Sequence, residues 1–494
     1  MQPGYLGRMD QSGPNSSITG QAAAAAPRRL PSGLPLPSGE AEFAFGLAAI
    51  GFFAALALLW LLILSGISHP RTQFDQDLFH LRAITEFAAQ WPSVSVRDYP
   101  SATTPGYHLL LAGLYNLGLS STLGLRLFSA TFAAAIFAII LGWCAARRGP
   151  IEGLVLACPV LLCPYVLQSG LYLLPDNAAW MLVALILGAA LGTTQTPRRW
   201  LALSALLVVL VGVRQLHIWS AAAIWAGAFA SAQWPARSMR NTHLAGGGLL
   251  ADFGGGIRRG LIAGAMTLPA FALLGWFVLL WGGLTPPSFR FAESAMPGDV
   301  QATNVGGISP ATPAFMLSLL AIYGGLLLPL MWKALRPVLR ERGSQVTLII
   351  AAAVGALLAV VPPTTYAMRP RIGGLWNVVR AAEVKGLVIA GHTSPVIVLL
   401  AALGAAVVVL LLLCGRPRVR LVLGISLLAF MAAGTAQALS WQRYFEPMLL
   451  MWVALAVACR AEADSERRWP PLVAAASLAL LMLATSVMAF AGGQ

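Results

Sequence analysis

Residues 68–108 read SHPRTQFDQDLFHLRAITEFAAQWPSVSVRDYPSATTPGYH, and they lie between the first long apolar run and the next one. In a chain of 494 residues with 10% charged side chains, this stretch gathers Asp75, Asp77, His80, Arg82, Glu86, Arg97, Asp98 and His108. The next apolar piece, PGYHLLLAGLYNLGL at 105–119, decides the arrangement of everything after it. If it crosses a bilayer, Arg147 and Arg148 fall outside and every later assignment inverts. If it lies along the interface, they fall inside and the charge pattern stays regular to the C-terminus.

Composition sets the class. The chain is 58% hydrophobic, its mean hydropathy is +0.75, and many of its runs approach the ~18–20 apolar residues that span a bilayer. The expected fold is an all-α polytopic membrane protein of about thirteen helices. With 105–119 kept at the surface, the spans fall near 41–67, 122–145, 151–168, 176–195, 199–213, 216–233, 259–281, 312–333, 345–361, 394–413, 419–438, 444–459 and 471–490. Roughly two thirds of the Lys and Arg side chains then face the cytoplasm. They do so in tight clusters such as Arg147-Arg148, Arg198-Arg199, Arg258-Arg259 and Arg416-Pro417-Arg418. The positive-inside rule therefore accounts for the net charge of +14, and no nucleic-acid partner is expected.

Residues 1–40, rich in Gly, Pro, Ser and Ala, are expected to be a disordered cytoplasmic tail. A single membrane domain fills 41–494. Its first extracytoplasmic loop, 68–121, carries surface helices, and 282–311 and 362–393 form further outer loops. The five cysteines lie in or beside apolar runs with no ligand spacing, so neither a disulfide framework nor a metal site is expected. Only two of the basic residues are lysine and alanine is abundant, which favours a bacterial source. The expected location is the bacterial inner membrane, with the loop facing the periplasm.

Two kinds of residue in the outer loops carry chemistry. If 75–88 is helical, Asp77, His80, Ile84 and Phe87 or Ala88 share one stripe. Asp75 and Asp77 then stand near a helix N-terminus, where the dipole favours a carboxylate. Such a carboxylate is a candidate base for a sugar hydroxyl, although an acidic cap on a solvated loop has the same spacing. Arg214 and Arg443 sit at outer helix ends, and Arg369 and Arg371 lie in the 362–393 outer loop. Arginine holds phosphate through paired, charge-assisted hydrogen bonds, while snorkelling to headgroups is the plainer explanation for any single one. Asp176, in LLPDNAAW, reads more readily as a helix cap than as a second acid.

Taken in order, these residues resemble the GT-C superfamily of polyprenyl-phosphate-sugar glycosyltransferases. Within it, they are most similar to the dolichyl-phosphate-glucose-dependent α-1,2-glucosyltransferases. Gln76-Asp77-Leu78-Phe79-His80 stands where that family carries Asp-Glu-x-Phe-His, and Thr103-Thr104-Pro105-Gly106-Tyr107 resembles its Thr-Thr-Pro-Pro-Gly-Leu-Tyr. Arg214-Gln215-Leu216-His217-Ile218-Trp219 resembles its Arg-Gln-x-x-Ile-x-Trp, and Leu280-Trp281-Gly282-Gly283 its Trp-x-Gly-Gly. Arg369 with Trp376, and Arg443-Tyr444-Phe445, echo two further elements.

The resemblance implies an inverting hexosyltransferase, glucose favoured, that needs no metal or other cofactor. Its partners would be a polyprenyl-phosphate-linked sugar donor, a glycan or lipid-linked acceptor, and membrane lipids. It implies Asp77 as base, with Asp75 as rival because Gln76 replaces the family's first acid, and His80 beside them. Arg214, Gln215, Trp281, Arg369, Arg371, Trp376, Arg443 and Tyr444 would hold the substrate and its lipid phosphate. A transporter or flippase of a lipid-linked or amphiphilic substrate is the alternative. It would call for internal repeats and mid-span charges, neither of which the hydropathy pattern shows.

Overall fold

The structure is a computed structural model, and it describes residues 38–192, 195–231, 248–289, 307–364, 386, 388, 389, 391–437, 442–461 and 469–491. The tail through residue 37, most of the 282–311 and 362–393 loops, and Arg369, Arg371 and Trp376 with them, lie outside the described residues. Among the described residues all regular structure is helical, apart from two isolated bridges.

Seven helices are long and apolar enough to cross a membrane, and a bent pair makes up to eight. The chain is therefore a polytopic α-helical membrane protein. The long elements are α1 (Ser38–Leu64), α5 (Thr122–Arg148), α11 (Gly248–Trp281), α12 (Thr312–Leu327) running on into α13 (Trp332–Arg340), α14 (Arg342–Val360), α15 (Pro395–Cys414) and α16 (Pro417–Thr435). The pair α6 (Pro150–Leu161) and α7 (Pro164–Leu171) is bent by 66° at Leu162-Cys163. Pro164 removes a backbone donor there and restricts the residue before it. Shorter elements are α8 (Asp176–Leu191), α9 (Pro197–Val213), α10 (Ala221–Phe229), α17 (Glu446–Ala458) and α18 (Trp469–Ala491).

Starts and stops follow from local chemistry. Ser121 accepts from the Gly124 N–H to cap α5, and proline opens α6, α7, α9, α15 and α16, where its missing N–H costs nothing. Gly149, with φ 84°, ends α5 directly after Arg147 and Arg148, and a helix C-terminus favours such cations.

The centre of the bundle is α17, every residue of which is buried. It is apolar apart from Glu446 at its start, and neighbouring helices rather than lipid cover it on every face. Close packing elsewhere depends on small residues. A Cβ at Gly404 of α15 would collide with the backbone carbonyl of Leu317 in α12.

The two ends of the bundle differ. At one, arginines satisfy the last carbonyls of neighbouring helices, the groups a helix leaves unpaired. Arg148 Nε donates to Ala458 O (2.9 Å), Arg418 to Ala190 O (3.1 Å), Arg420 Nε to Gly415 O (2.8 Å), and Arg460 pairs through both nitrogens with Glu152. The other end carries the 68–121 loop.

That loop is ordered by three helices and one turn of wider helix. These are α2 (Pro70–Asp75), a π-turn at Gln76–His80, α3 (Leu81–Gln90) and α4 (Gly106–Asn116). With 11 residues, α4 is about 16 Å long, far short of the ~30 Å hydrocarbon core. It packs along α3, and Asn116 Nδ2 donates to Ala88 O (3.0 Å).

The expectation of one helical stripe through Asp77, His80, Ile84 and Phe87 changes in one respect. Ala83, Ile84, Phe87 and Ala88 are buried as expected, but on the N-terminal side Gln76 and Thr72 are buried and Asp77 is exposed. The Leu81 N–H bonds to Gln76 O, five residues back. This extra residue in the turn shifts the register, so Gln76 takes the inward place that an α-helix would give Asp77.

Candidate active site

Four charged side chains meet at the loop end of the bundle, brought from elements far apart in the chain. Arg443 Nη1 lies 2.9 Å from Asp75 Oδ2. Arg214, at the C-terminal end of α9, pairs with Asp176 at the start of α8. Tyr444 lies between the two pairs, its ring centroid 5.0 Å from the guanidinium carbon of each arginine. Arg443 Nη2 also donates to the Tyr444 hydroxyl at 3.1 Å. Two cations against one aromatic ring are tolerable because each is paired with a carboxylate. The cluster of two acids and two arginines is thereby electrically balanced.

His80 stands among these four charges. The residue is half-buried, and its pKa is pushed down to about 4. Burial is the main cause; Asp75 and Asp176 oppose it, and Arg443 and Arg214 add to it. His80 is therefore neutral at physiological pH. Its Nδ1 is 2.9 Å from His108 Nε2, with the two rings near parallel. His108 is fully buried, and burial, followed by His80, holds its pKa well below the usual histidine value. Tyr99 and Tyr107 wall it in. Their hydroxyls are spent elsewhere, Tyr99 on Thr103 O (2.5 Å) and Tyr107 with Ser129 Oγ (2.8 Å).

Gln76 ties the turn to its surroundings. Its Oε1 accepts from Arg126 Nε (2.7 Å) and Leu173 N (3.2 Å), and its Nε2 donates to Asp77 Oδ1 (2.6 Å). Arg126 also lies over the Tyr172 ring, 4.6 Å from the centroid. A carboxylate at position 76 could accept those two bonds, but it would stand beside Asp75 and Asp77 with nothing to donate to the latter. Glutamine serves both neighbours at once.

Of the residues expected from sequence, Asp75, His80, Arg214, Arg443 and Tyr444 converge. Asp77 lies on the exposed side of the same turn, held by Gln76. Gln215 and Trp281 bind loops together. Gln215 Oε1 accepts from Thr104 N (3.0 Å), and its Nε2 donates to Ala102 O (2.7 Å) and Leu284 O (2.9 Å). Trp281 is buried and donates to Val96 O (3.0 Å). The Thr-Thr-Pro-Gly-Tyr and Arg-Gln segments are thus packed on each other. Thr104 Oγ1 donates to Val211 O (2.6 Å), and a Cβ at Gly106 would strike the Gly212 backbone.

Asp176 corrects the sequence reading. Pro175, not Asp176, is the N-cap of α8, and the Asp176 carboxylate pairs with Arg214. Sequence reasoning gave no role to Arg126, Gln76 or His108. A histidine facing the interior of a short amphipathic helix was the only available signal for the last. No family model, curated protein or solved structure matches the chain, so the site rests on its own geometry.

Proposed function

We propose that the chain is an inverting glycosyltransferase of GT-C-like architecture, with about thirteen crossings once the shorter helices are included. It moves a hexose, glucose favoured, from a polyprenyl phosphate to an acceptor hydroxyl on the extracytoplasmic side, in a bacterial inner membrane. The observation that carries this reading is the convergence of Asp75, His80, Asp176, Arg214, Arg443 and Tyr444 at one end of an apolar bundle. Acids and arginines held together at the end of an apolar bundle suit a substrate that is an anion on a long hydrocarbon tail.

The chemistry needs one displacement. A carboxylate takes the proton of the acceptor hydroxyl as its oxygen attacks the anomeric carbon. The bond from that carbon to the phosphate oxygen breaks with inversion, and polyprenyl phosphate leaves with the electron pair. Arg443 and Arg214 stabilise the charge that grows on the phosphate. Arg369 and Arg371, with Trp376, are proposed to complete the phosphate site from the 362–393 loop. Between the two acids, Asp75 is the one that reaches the converging side chains and is taken as the base for that position, and Asp77 stands as its rival on the exposed side.

The test is transfer itself. Purified protein in liposomes, given polyprenyl-phosphate glucose and a panel of glycan and lipid-linked acceptors, should release polyprenyl phosphate and form a glycoside of inverted configuration. Movement of the intact lipid-linked sugar between leaflets, with no glycoside formed, would replace this reading with a flippase.

A further inference from the structure

The His80–His108 pair contains one hydrogen bond and one unpaired atom, and together they specify where the protons are. His108 Nδ1 is buried and has no hydrogen-bond partner. The contact between His80 Nδ1 and His108 Nε2 needs one proton, and two tautomeric arrangements supply it. If His80 Nδ1 donated, His108 Nε2 would accept and the second histidine would carry its own proton on Nδ1. That would bury an N–H against aromatic carbon, with at best a weak N–H···π contact in compensation. If His108 Nε2 donates, Nδ1 is a bare acceptor. Orphaned buried donors are the rarer and costlier case, so the second arrangement is preferred.

The consequence falls on His80. Its Nδ1 accepts from His108, so a neutral His80 carries its proton on Nε2. That nitrogen makes no hydrogen bond in the structure, yet it is not one of the buried unpaired atoms. It therefore reaches accessible space, among Asp75, Asp176, Arg214 and Arg443.

We propose that His80 offers its Nε2–H as a hydrogen-bond donor to an oxygen of the bound sugar phosphate, and that His108 is the positioning residue that fixes this tautomer. His80 is thus neither the base nor a cation in the resting site. It acts as a neutral electrophile that adds a donor to a cluster whose formal charges already cancel. The tautomer stands on the geometry alone, and the sugar-phosphate ligand rests on the glycosyltransferase reading.

Nitrogen-15 NMR of the full chain, labelled at histidine and held in lipid bilayers at pH 7, tests both parts. The His80→Phe spectrum identifies the His80 signals among the six histidines. The expected result is a protonated Nε2 and a bare Nδ1. A proton on Nδ1, or a charged ring, would overturn the proposal. His108→Gln, whose amide can donate from the place of Nε2, should preserve the tautomer, whereas His108→Phe should give a mixture. An unchanged His80 in the phenylalanine variant would remove the role of His108.

Adding polyprenyl phosphate should shift the Nε2–H signal more than an equal concentration of inorganic phosphate does. No shift with polyprenyl phosphate or with polyprenyl-phosphate glucose would end the ligand assignment. None of these signals requires turnover, so a failed transfer assay and a failed tautomer are told apart.

Discussion

Arg443 reaches Asp75 across 368 positions of sequence, Nη1 to Oδ2 at 2.9 Å, and joins the short turn before α17 to the end of α2. The loop after the first helix is thereby fastened to the most buried helix of the bundle. The same contact places a carboxylate and a guanidinium side by side where two distant apolar segments end.

Arg443→Ala should lower transfer by about 10²–10³-fold, the usual loss when one charge-stabilising donor is removed. Arg443→Lys keeps the charge without the fork and should recover part of it. The measurement is the rate of glycoside formation. Asp75→Asn and Asp77→Asn, assayed in the same way, separate the two acids. Loss with the first and retention with the second is expected, and the reverse result would return the base to Asp77.

Arg214 and Asp176 are both largely out of water, with side-chain exposures of 11% and 17%. Arg214→Leu strands a buried carboxylate and should cost about 3–5 kcal/mol, read as a drop in thermal unfolding temperature in detergent. The double variant Arg214→Leu/Asp176→Leu should regain most of that loss. If both variants unfold at the same temperature, the pair is not coupled.

Arg460 and Glu152 form the corresponding pair at the opposite end. Arg460→Ala should destabilise the bundle to a similar degree, about 3–5 kcal/mol. Rates of transfer per folded molecule should stay near those of the parent, because nothing at the loop end touches this pair.

Gly404→Val places two methyl groups against the α12 backbone at Leu317. Overpacking of this kind costs about 1–3 kcal/mol, and backbone-on-backbone contact puts this site at the upper end of that range. Thermal unfolding of the variant beside Gly424→Val, where a Cβ meets only a leucine methyl at 3.7 Å, checks the claim.

His80 and His108 also set a pH dependence. Their folded pKa values lie below the unfolded value of about 6.5, His80 at about 4 and His108 well below its ordinary value. The unfolded chain therefore binds more protons below pH 6.5. Stability should be flat above that pH and fall as pH drops from 6.5 towards 4, by up to about 1.4 kcal/mol per pH unit for each histidine. Comparing the unfolding temperatures of the parent and His108→Gln across that window isolates the contribution of His108.

Much of the fold was legible because hydrophobicity is a local property. Most long apolar runs announced a helix, the 151–168 run excepted because it breaks into α6 and α7, and prolines and glycines marked many of the ends. Clustered arginines such as Arg147-Arg148 and Arg418 marked one end of the bundle, where they cap helix carbonyls. The site was legible only in part. Asp75, His80, Arg214, Arg443 and Tyr444 stood out as polar residues where an apolar chain has no need of them. Their pairing did not, because a run of sequence carries no record of which distant residue stands opposite.

The 68–108 stretch shows the division most clearly. By itself the sequence determined that this loop is polar, helical in part, and rich in acids that the membrane does not require. Only the tertiary structure decided which side chain turns inward. One extra residue in the π-turn at Gln76–His80 exchanges Asp77 for Gln76, and the shift is stabilised by bonds from Arg126 and Leu173, 50 and 97 positions away. A helical period read from sequence assumes a uniform turn. The energy that widens this one comes from partners that only the folded chain supplies.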